Sequence, residues 1–288
     1  MPDLGLSPAL FAAVLALASA GLWGMSDFGG GLLGRRAPIL GVLVVTQSLG
    51  FLIAAAITAV RGEPLMHSQD LAFALGGAFL AATGVACLYR GLAVGRMGIV
   101  APVAAVLTAA TPALIGIVLQ GLPSALVIVG FGIAIVAVII VSAVPDDGSG
   151  RPSGLRYALV GGVALGLLSV FFSRISLAYV FEPLAVLRGG VVVIFAAIVL
   201  ARRLPWRLPR ETWPLAAFVG IVDLIGNAAF ITASRTGDLA IAAVLSSLYP
   251  VVTVLLAAVL LRERITLSHA AGVGLALVAI VFITGGTA

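Results

Sequence analysis

The chain contains no lysine, a single cysteine and two histidines, and only 9% of its 288 residues are charged. Each scarcity removes a class of function. Cys87 sits inside an apolar run and offers neither a disulfide nor a metal site. His67 and His269 fall in or beside connections between apolar runs, and no His-Glu-x-x-His or Gly-x-Ser-x-Gly string exists. No metal or cofactor is therefore expected. The charged fraction lies far below the roughly 25% of soluble domains. Residues 1–7 carry Asp3 and no basic residue, so the basic start of a cleaved signal peptide is missing and the first apolar run is expected to stay.

What the chain has instead is apolar length, since 62% of its residues are hydrophobic. A helix needs roughly 20 apolar residues to cross about 30 Å of hydrocarbon. Runs of that length are placed at 8–30, 38–60, 71–90, 97–119 and 125–144, then at 155–174, 183–201, 213–234, 239–260 and 267–285. They are continuous rather than alternating, which excludes a membrane barrel. Connections are short throughout, so no soluble receptor or enzyme domain fits between them. The lipid bilayer is the first expected partner.

The last five runs repeat the first five. Residue n set beside residue n+142 aligns 71–142 with 213–284 without a gap. Gly84 falls on Gly226, Gly95 on Gly237, Thr111 on Thr253 and Leu119 on Leu261, and Gly130-x-Gly132-x-Ala134 falls on Gly272-x-Gly274-x-Ala276. At an offset of 145, Gly21 meets Gly166 and Pro38 meets Pro183. The expected units are residues 1–145 and 152–288. An odd number of spans per unit turns the second upside down relative to the first, the inverted arrangement of alternating-access transporters. The predicted fold is thus an all-α membrane protein of ten transmembrane helices in two inverted five-helix repeats.

All sixteen basic residues are arginines, and they alternate by connection. Arg35, Arg36, Arg90, Arg96, Arg151, Arg156, Arg202, Arg203, Arg207, Arg210, Arg262 and Arg264 lie at odd-numbered connections; Arg61, Arg174 and Arg235 lie near the others. The positive-inside rule puts the odd connections in the cytoplasm and both termini outside. Topology explains the +5 net charge without nucleic acid.

Several strings resemble the EamA family of drug/metabolite transporters. In the first run, Trp23-Gly24-Met25-Ser26-Asp27-Phe28 is similar to the family's Trp-Gly-x-x-[Asn/Asp]-Phe element. Gly84-x-x-x-x-Tyr89-x-x-Leu92 and Gly226-Asn227-x-x-Phe230 resemble its Gly-Asn-x-x-aromatic stretch. Ser246-Ser247-Leu248-Tyr249-Pro250 and Leu261-Arg262-Glu263-Arg264 resemble its Ser-Leu-x-Pro and Gly-Glu-Arg elements, with Arg262 in place of the glycine. In the first half, Gln120-Gly121-Leu122-Pro123 replaces the Glu-Arg element. The resemblance spans essentially the whole chain. It implies a ten-helix carrier of small metabolites, amino acids or amphiphilic drugs across the bacterial inner membrane, and it carries Tyr89 into the candidate site.

Other candidates follow from charge and hydroxyls at membrane depth. Asp223 lies near the middle of its run, where a charge costs roughly 2.5 to 3.5 kcal/mol on insertion scales and faces the bundle interior with a partner. Asn227 is one turn away on the same face. Asp223 is the proton-coupling candidate; the other reading is a buried ion pair or hydrogen bond that fixes packing. Arg188 is the one arginine plainly within a run, with three readings open: pairing with Asp223 or Asp27, binding a substrate carboxylate, or reaching toward the headgroups. Trp23 and Asp27 share a face of the first helix, where Asp27 is either a gate residue or an interfacial charge. Pro102 and Pro112 are expected to break the fourth helix and Pro250 the ninth, freeing carbonyls that line cavities in transporters. Thr108, Thr111, Ser246 and Tyr249 flank those prolines, either lining a cavity or bonding back to their own helices.

Rival classes are weak. An intramembrane aspartyl protease would use Asp27 and Asp223, but neither has a Gly-x-Gly-Asp context. A channel wants rings of polar groups, whereas these are isolated. Among carriers, the fork is a proton-coupled exporter against an uncoupled facilitator, exchanger or multidrug efflux carrier. The sequence assigns no oligomeric state.

Overall fold

The computed structural model describes residues 7–120, 124–142, 152–176, 178–236, 242, 245–263 and 266–285. The element replacing Glu-Arg at 121–123, Arg151, Arg264, Gly237 and the junction between the two expected units lie outside the described residues. Ten α-helices and one 3-10 turn fill the rest, with no strand among the described residues. They are α1 (Pro8–Gly34), α2 (Ile39–Arg61), α3 (Ser68–Val94), α4 (Met97–Gln120), α5 (Ala125–Ser142), α6 (Leu155–Phe172), α7 (Glu182–Arg202), α8 (Trp213–Thr236), α9 (Tyr249–Leu260) and α10 (Leu267–Gly285). Among the described residues, seven of them (α1–α4 and α6–α8) are long and apolar enough to cross a membrane, while α5, α9 and α10 contribute shorter apolar stretches.

Local chemistry sets the helix ends. The Ser7 hydroxyl accepts from the Leu10 amide at 3.3 Å, and Pro8 follows, where its missing N–H costs nothing. Pro183 opens α7 in the same way. Gly62 closes α2 in the left-handed region at φ 63°, which a residue without Cβ adopts freely. The outer surface is apolar: Val60 is 88% exposed, Leu200 75% and Val259 73%. Such faces are stable against hydrocarbon, and with no hydrophobic gain between helices the interior closes through small residues. Gly24 does this clearly, because a methyl there would lie 2.7 Å from the Tyr249 carbonyl oxygen.

Helix α1 packs on α8, α9 and α3, and α6 packs on α3 and α4. Helix α2 lies against α7 and α8, and α3 also against α7; α4 meets α9 and α10, and α5 meets α10. Two proline expectations change. Helix α4 runs without a break through Pro102 and Pro112. A proline deletes one bond of the ladder, and packing against α6, α9 and α10 holds the remaining turns in line. In the ninth span a turn at Ser247–Leu248 separates the helical residues Leu245–Ser246 from α9. Pro250 therefore stands in the first turn of a new helix, not inside an interrupted one.

Candidate functional site

The polar residues of the spans gather where α1, α2, α3, α7, α8 and α9 face each other. Arg188 on α7 is 4% exposed, and its Nη2 donates to Asp223 Oδ2 on α8 at 2.6 Å. Its Nη1 donates to Gln47 Oε1 on α2 at 3.4 Å. Space for the guanidinium comes from Gly50, where a Cβ would lie 2.5 Å from Nη1. The pairing of Arg188 with Asp223 rather than Asp27 decides one of the alternatives left by the sequence. Removing one partner of such a buried pair costs about 3 to 5 kcal/mol, because the other charge stays behind.

Trp23 on α1 inserts between α8 and α9. Its ring centroid is 5.5 Å from Phe230 and 6.2 Å from Tyr249, the second pair edge to face. Gly226 makes this possible, since a methyl there would come within 2.8 Å of Trp23 Cδ1. One turn along α1 comes Asp27, within electrostatic reach of Asp223, Tyr89 and Tyr249. Tyr89 on α3 is buried and shares a hydrogen bond with Ser26 at 3.2 Å. Trp23, Asp27, Asp223, Asn227, Phe230 and Tyr249 all retain partial accessibility.

The hydroxyl candidates behave differently. Thr108 donates to Ala104 O at 2.9 Å and reaches Gly162 O on α6 at 3.3 Å; Thr111 donates to Leu107 O at 2.7 Å. These side chains satisfy carbonyls of their own helix and tie α4 to α6. Asn227 Nδ2 likewise donates to the Asp223 carbonyl at 2.7 Å. Ser246 is buried just before the turn that precedes α9.

Sequence reasoning passed over two groups of residues. Gln47, a lone amide at membrane depth, is one. The other is the acidic residues at the two ends of the bundle, of which Glu263 alone entered the sequence reading, within the string that resembles the Gly-Glu-Arg element. Glu63, between α2 and α3, accepts at Oε2 from the Val180, Phe181 and Glu182 amides that open α7, at 3.2, 2.9 and 3.1 Å. Burial pushes its carboxyl up, but those three donors and the Arg61 guanidinium outweigh burial and hold it below the ordinary carboxylate range. Around it, Glu182 accepts from Met66 N and Asp70 from Ser176 N, and Arg235 donates to Tyr179 O. At the other end, Glu263 Oε1 takes Arg35 at 3.2 Å and its Oε2 takes the Met97 amide that opens α4 at 3.1 Å. Arg35 also donates to Leu92 O and Ala93 O. Among the described residues no group of three His, Cys, Asp or Glu side chains has the geometry to hold a metal ion.

A bundle of apolar-surfaced helices around buried charge defines an integral membrane protein with an internal polar site. A model of the EamA-like transporter family matches residues 152–285. Over those residues the chain is similar to the EamA-like transporter family, whose members are membrane transporters. One solved structure, titled only as the crystal structure of a protein, superposes with a TM-score of 0.66 over 94% of this chain and 95% of that chain. At 17% identity this likeness speaks for the fold alone. No curated protein matches the chain in sequence.

Proposed function

We propose that the protein is an alternating-access carrier that moves small amphiphilic metabolites, amino acids or related compounds, outward across the bacterial inner membrane. Its two units, residues 1–145 and 152–288, act as inverted repeats with both termini on the outer side. The observation that carries this reading is the exchanged packing of the helices. Contact of α1 with α8 answers that of α6 with α3, contact of α1 with α9 answers that of α6 with α4, and contact of α2 with α8 answers that of α7 with α3. Residue pairs follow the same exchange. Gly84 packs on Leu165 where Gly226 packs on Trp23, and Thr111 lies on Gly166 where Thr253 donates to the Gly24 carbonyl at 3.2 Å. A pseudo-twofold relation between the units accounts for all of these. The charged cluster lies at their interface, where a substrate would be met from either side.

Proton coupling through Asp223 is one form of this reading. The short bond to Arg188 favours its rival, an uncoupled facilitator or exchanger in which Asp223 fixes α7 against α8. Counterflow in proteoliposomes loaded with unlabelled amino acids and amines, with and without a pH gradient, tests both. Saturable labelled uptake is expected; its absence across the panel would sink the carrier reading. Asp223→Asn should abolish pH-driven flux and keep exchange if Asp223 carries the proton. If flux responds to pH as before in that variant, coupling does not run through Asp223.

A further inference from the structure

Asp27 is the carboxylate of this cluster that the protein leaves unmatched. Asp223 has Arg188, and Arg188 also has Gln47, but Asp27 makes no ion pair or hydrogen bond with any described residue. The neighbouring Ser26 hydroxyl is engaged with Tyr89. With both carboxylates ionised, Asp27 and Asp223 would outnumber the Arg188 guanidinium by one negative charge. An uncompensated carboxylate at membrane depth is costly, and a cation placed beside it removes that cost.

The walls point the same way. Trp23, one turn from Asp27 on α1, is flanked by the rings of Phe230 and Tyr249. Ring faces attract cations, and tryptophan does so most strongly. Asn227 spends its amide N–H on the Asp223 carbonyl, and its Oδ1 accepts no hydrogen bond among the described residues, which leaves an acceptor between Asp223 and Phe230 along α8. A donor for a substrate carboxylate is harder to find. Arg188 spends Nη1 and Nη2 on Gln47 and Asp223, and its Nε is buried without a partner. A carboxylate ligand would also sit beside two carboxylates already there.

We propose that this cluster binds an organic monocation, the ammonium of an amine held by Asp27 and its apolar body seated on Trp23, Phe230 and Tyr249. The inference rests on the carrier reading and narrows its substrates from amphiphilic metabolites in general to amines without a carboxylate. Aspartate 27 is then the specificity-determining charge, while Asp223 and Arg188 position the helices around it.

Three indoles of equal body and different charge test it on the purified full-length protein: tryptamine, tryptophan and indole-3-propionate. By equilibrium binding, tryptamine should bind about tenfold or more tightly than tryptophan, because tryptophan keeps the ammonium but adds a carboxylate that meets the like charges of Asp27 and Asp223, and the acid, which lacks the ammonium, should bind weakest. Asp27→Asn should erase the preference and Asp27→Glu should retain it. Binding of tryptophan or the acid as tightly as tryptamine overturns the proposal, as does failure of all three to bind or an unchanged preference in Asp27→Asn. The charge series is read on the unaltered protein, so a poorly folding variant leaves it decisive. Counterflow of the same compounds separates the two readings. Uptake with no preference for the amine keeps the carrier and sinks the monocation, whereas amine-selective binding without any counterflow keeps the site and sinks the carrier.

Discussion

The two ends of the bundle are closed by the same device built from different parts. At one end Glu63, from the first half, receives the backbone N–H groups that open α7 in the second. At the other, Glu263, from the second half, receives the Met97 amide that opens α4 in the first. A helix start supplies unpaired N–H groups and the positive end of a dipole, so a carboxylate there is stabilised without a basic side chain. Each glutamate also has an arginine, but Arg61 is 56% exposed while Arg35 and Glu263 are each 12% exposed. The first end therefore depends on backbone donors and the second on an ion pair. On the proposed carrier reading, in which the halves part at one end and then the other, these ends are tied with unequal strength.

Glu63→Ala should give the largest change. It orphans three amides, and a hydrogen bond to a charged group contributes about 1.5 to 3 kcal/mol. Hydrogen exchange read by mass spectrometry on the peptide covering Val180, Phe181 and Glu182 should accelerate on the order of a hundredfold or more. The Met97 region should not follow. Equal acceleration at both ends would mean that Glu63 supports the whole fold and not one closure.

Glu263→Ala should do less. Among the described residues one amide, that of Met97, loses its acceptor, and Arg35 keeps the Leu92 and Ala93 carbonyls. About 1 to 2 kcal/mol is at stake, seen as roughly tenfold faster exchange at the start of α4 with Val180–Glu182 unaffected. A larger effect here than for Glu63→Ala would reverse the ranking of the two ends.

How much of this was legible differs by level. The helices could be read because length in hydrocarbon is a direct demand on sequence: each of the ten described helices falls on its expected run, and seven of them are long and apolar enough to cross a membrane. The prolines were half legible: Pro250 stands at a helix start, just after a turn, but Pro102 and Pro112 sit inside a helix that continues past both. Asp223 and Arg188 stood out because charge at that depth is rare; which carboxylate takes Arg188 depends on helix rotation, which no spacing within one helix encodes. The closing role of the two glutamates was missed for a deeper reason, although Glu263 lies in the string that resembles the Gly-Glu-Arg element. A loop carboxylate looks like any solvated charge, and its partners here are backbone amides more than a hundred residues away, which carry no side-chain signature.

The smallest effect is a shift with pH. Glu63 titrates below the ordinary carboxylate range because its folded environment donates to the ionised form more than burial opposes it. A carboxyl depressed by folding contributes stability above its unfolded value, about 4.3 for glutamate, and loses it as pH falls through the lower, folded value. At neutral pH the contribution is complete, so acid alone weakens this end. Glu63→Gln keeps the size of the side chain but not its charge, and its thermal stability should lie below that of the unaltered protein at pH 7. The two melting curves should approach each other as pH falls below about 4. A constant gap down to that range would mean that the bonds to α7 are held by shape and not by charge, and the contrast between the two ends would then rest on the number of bonds alone.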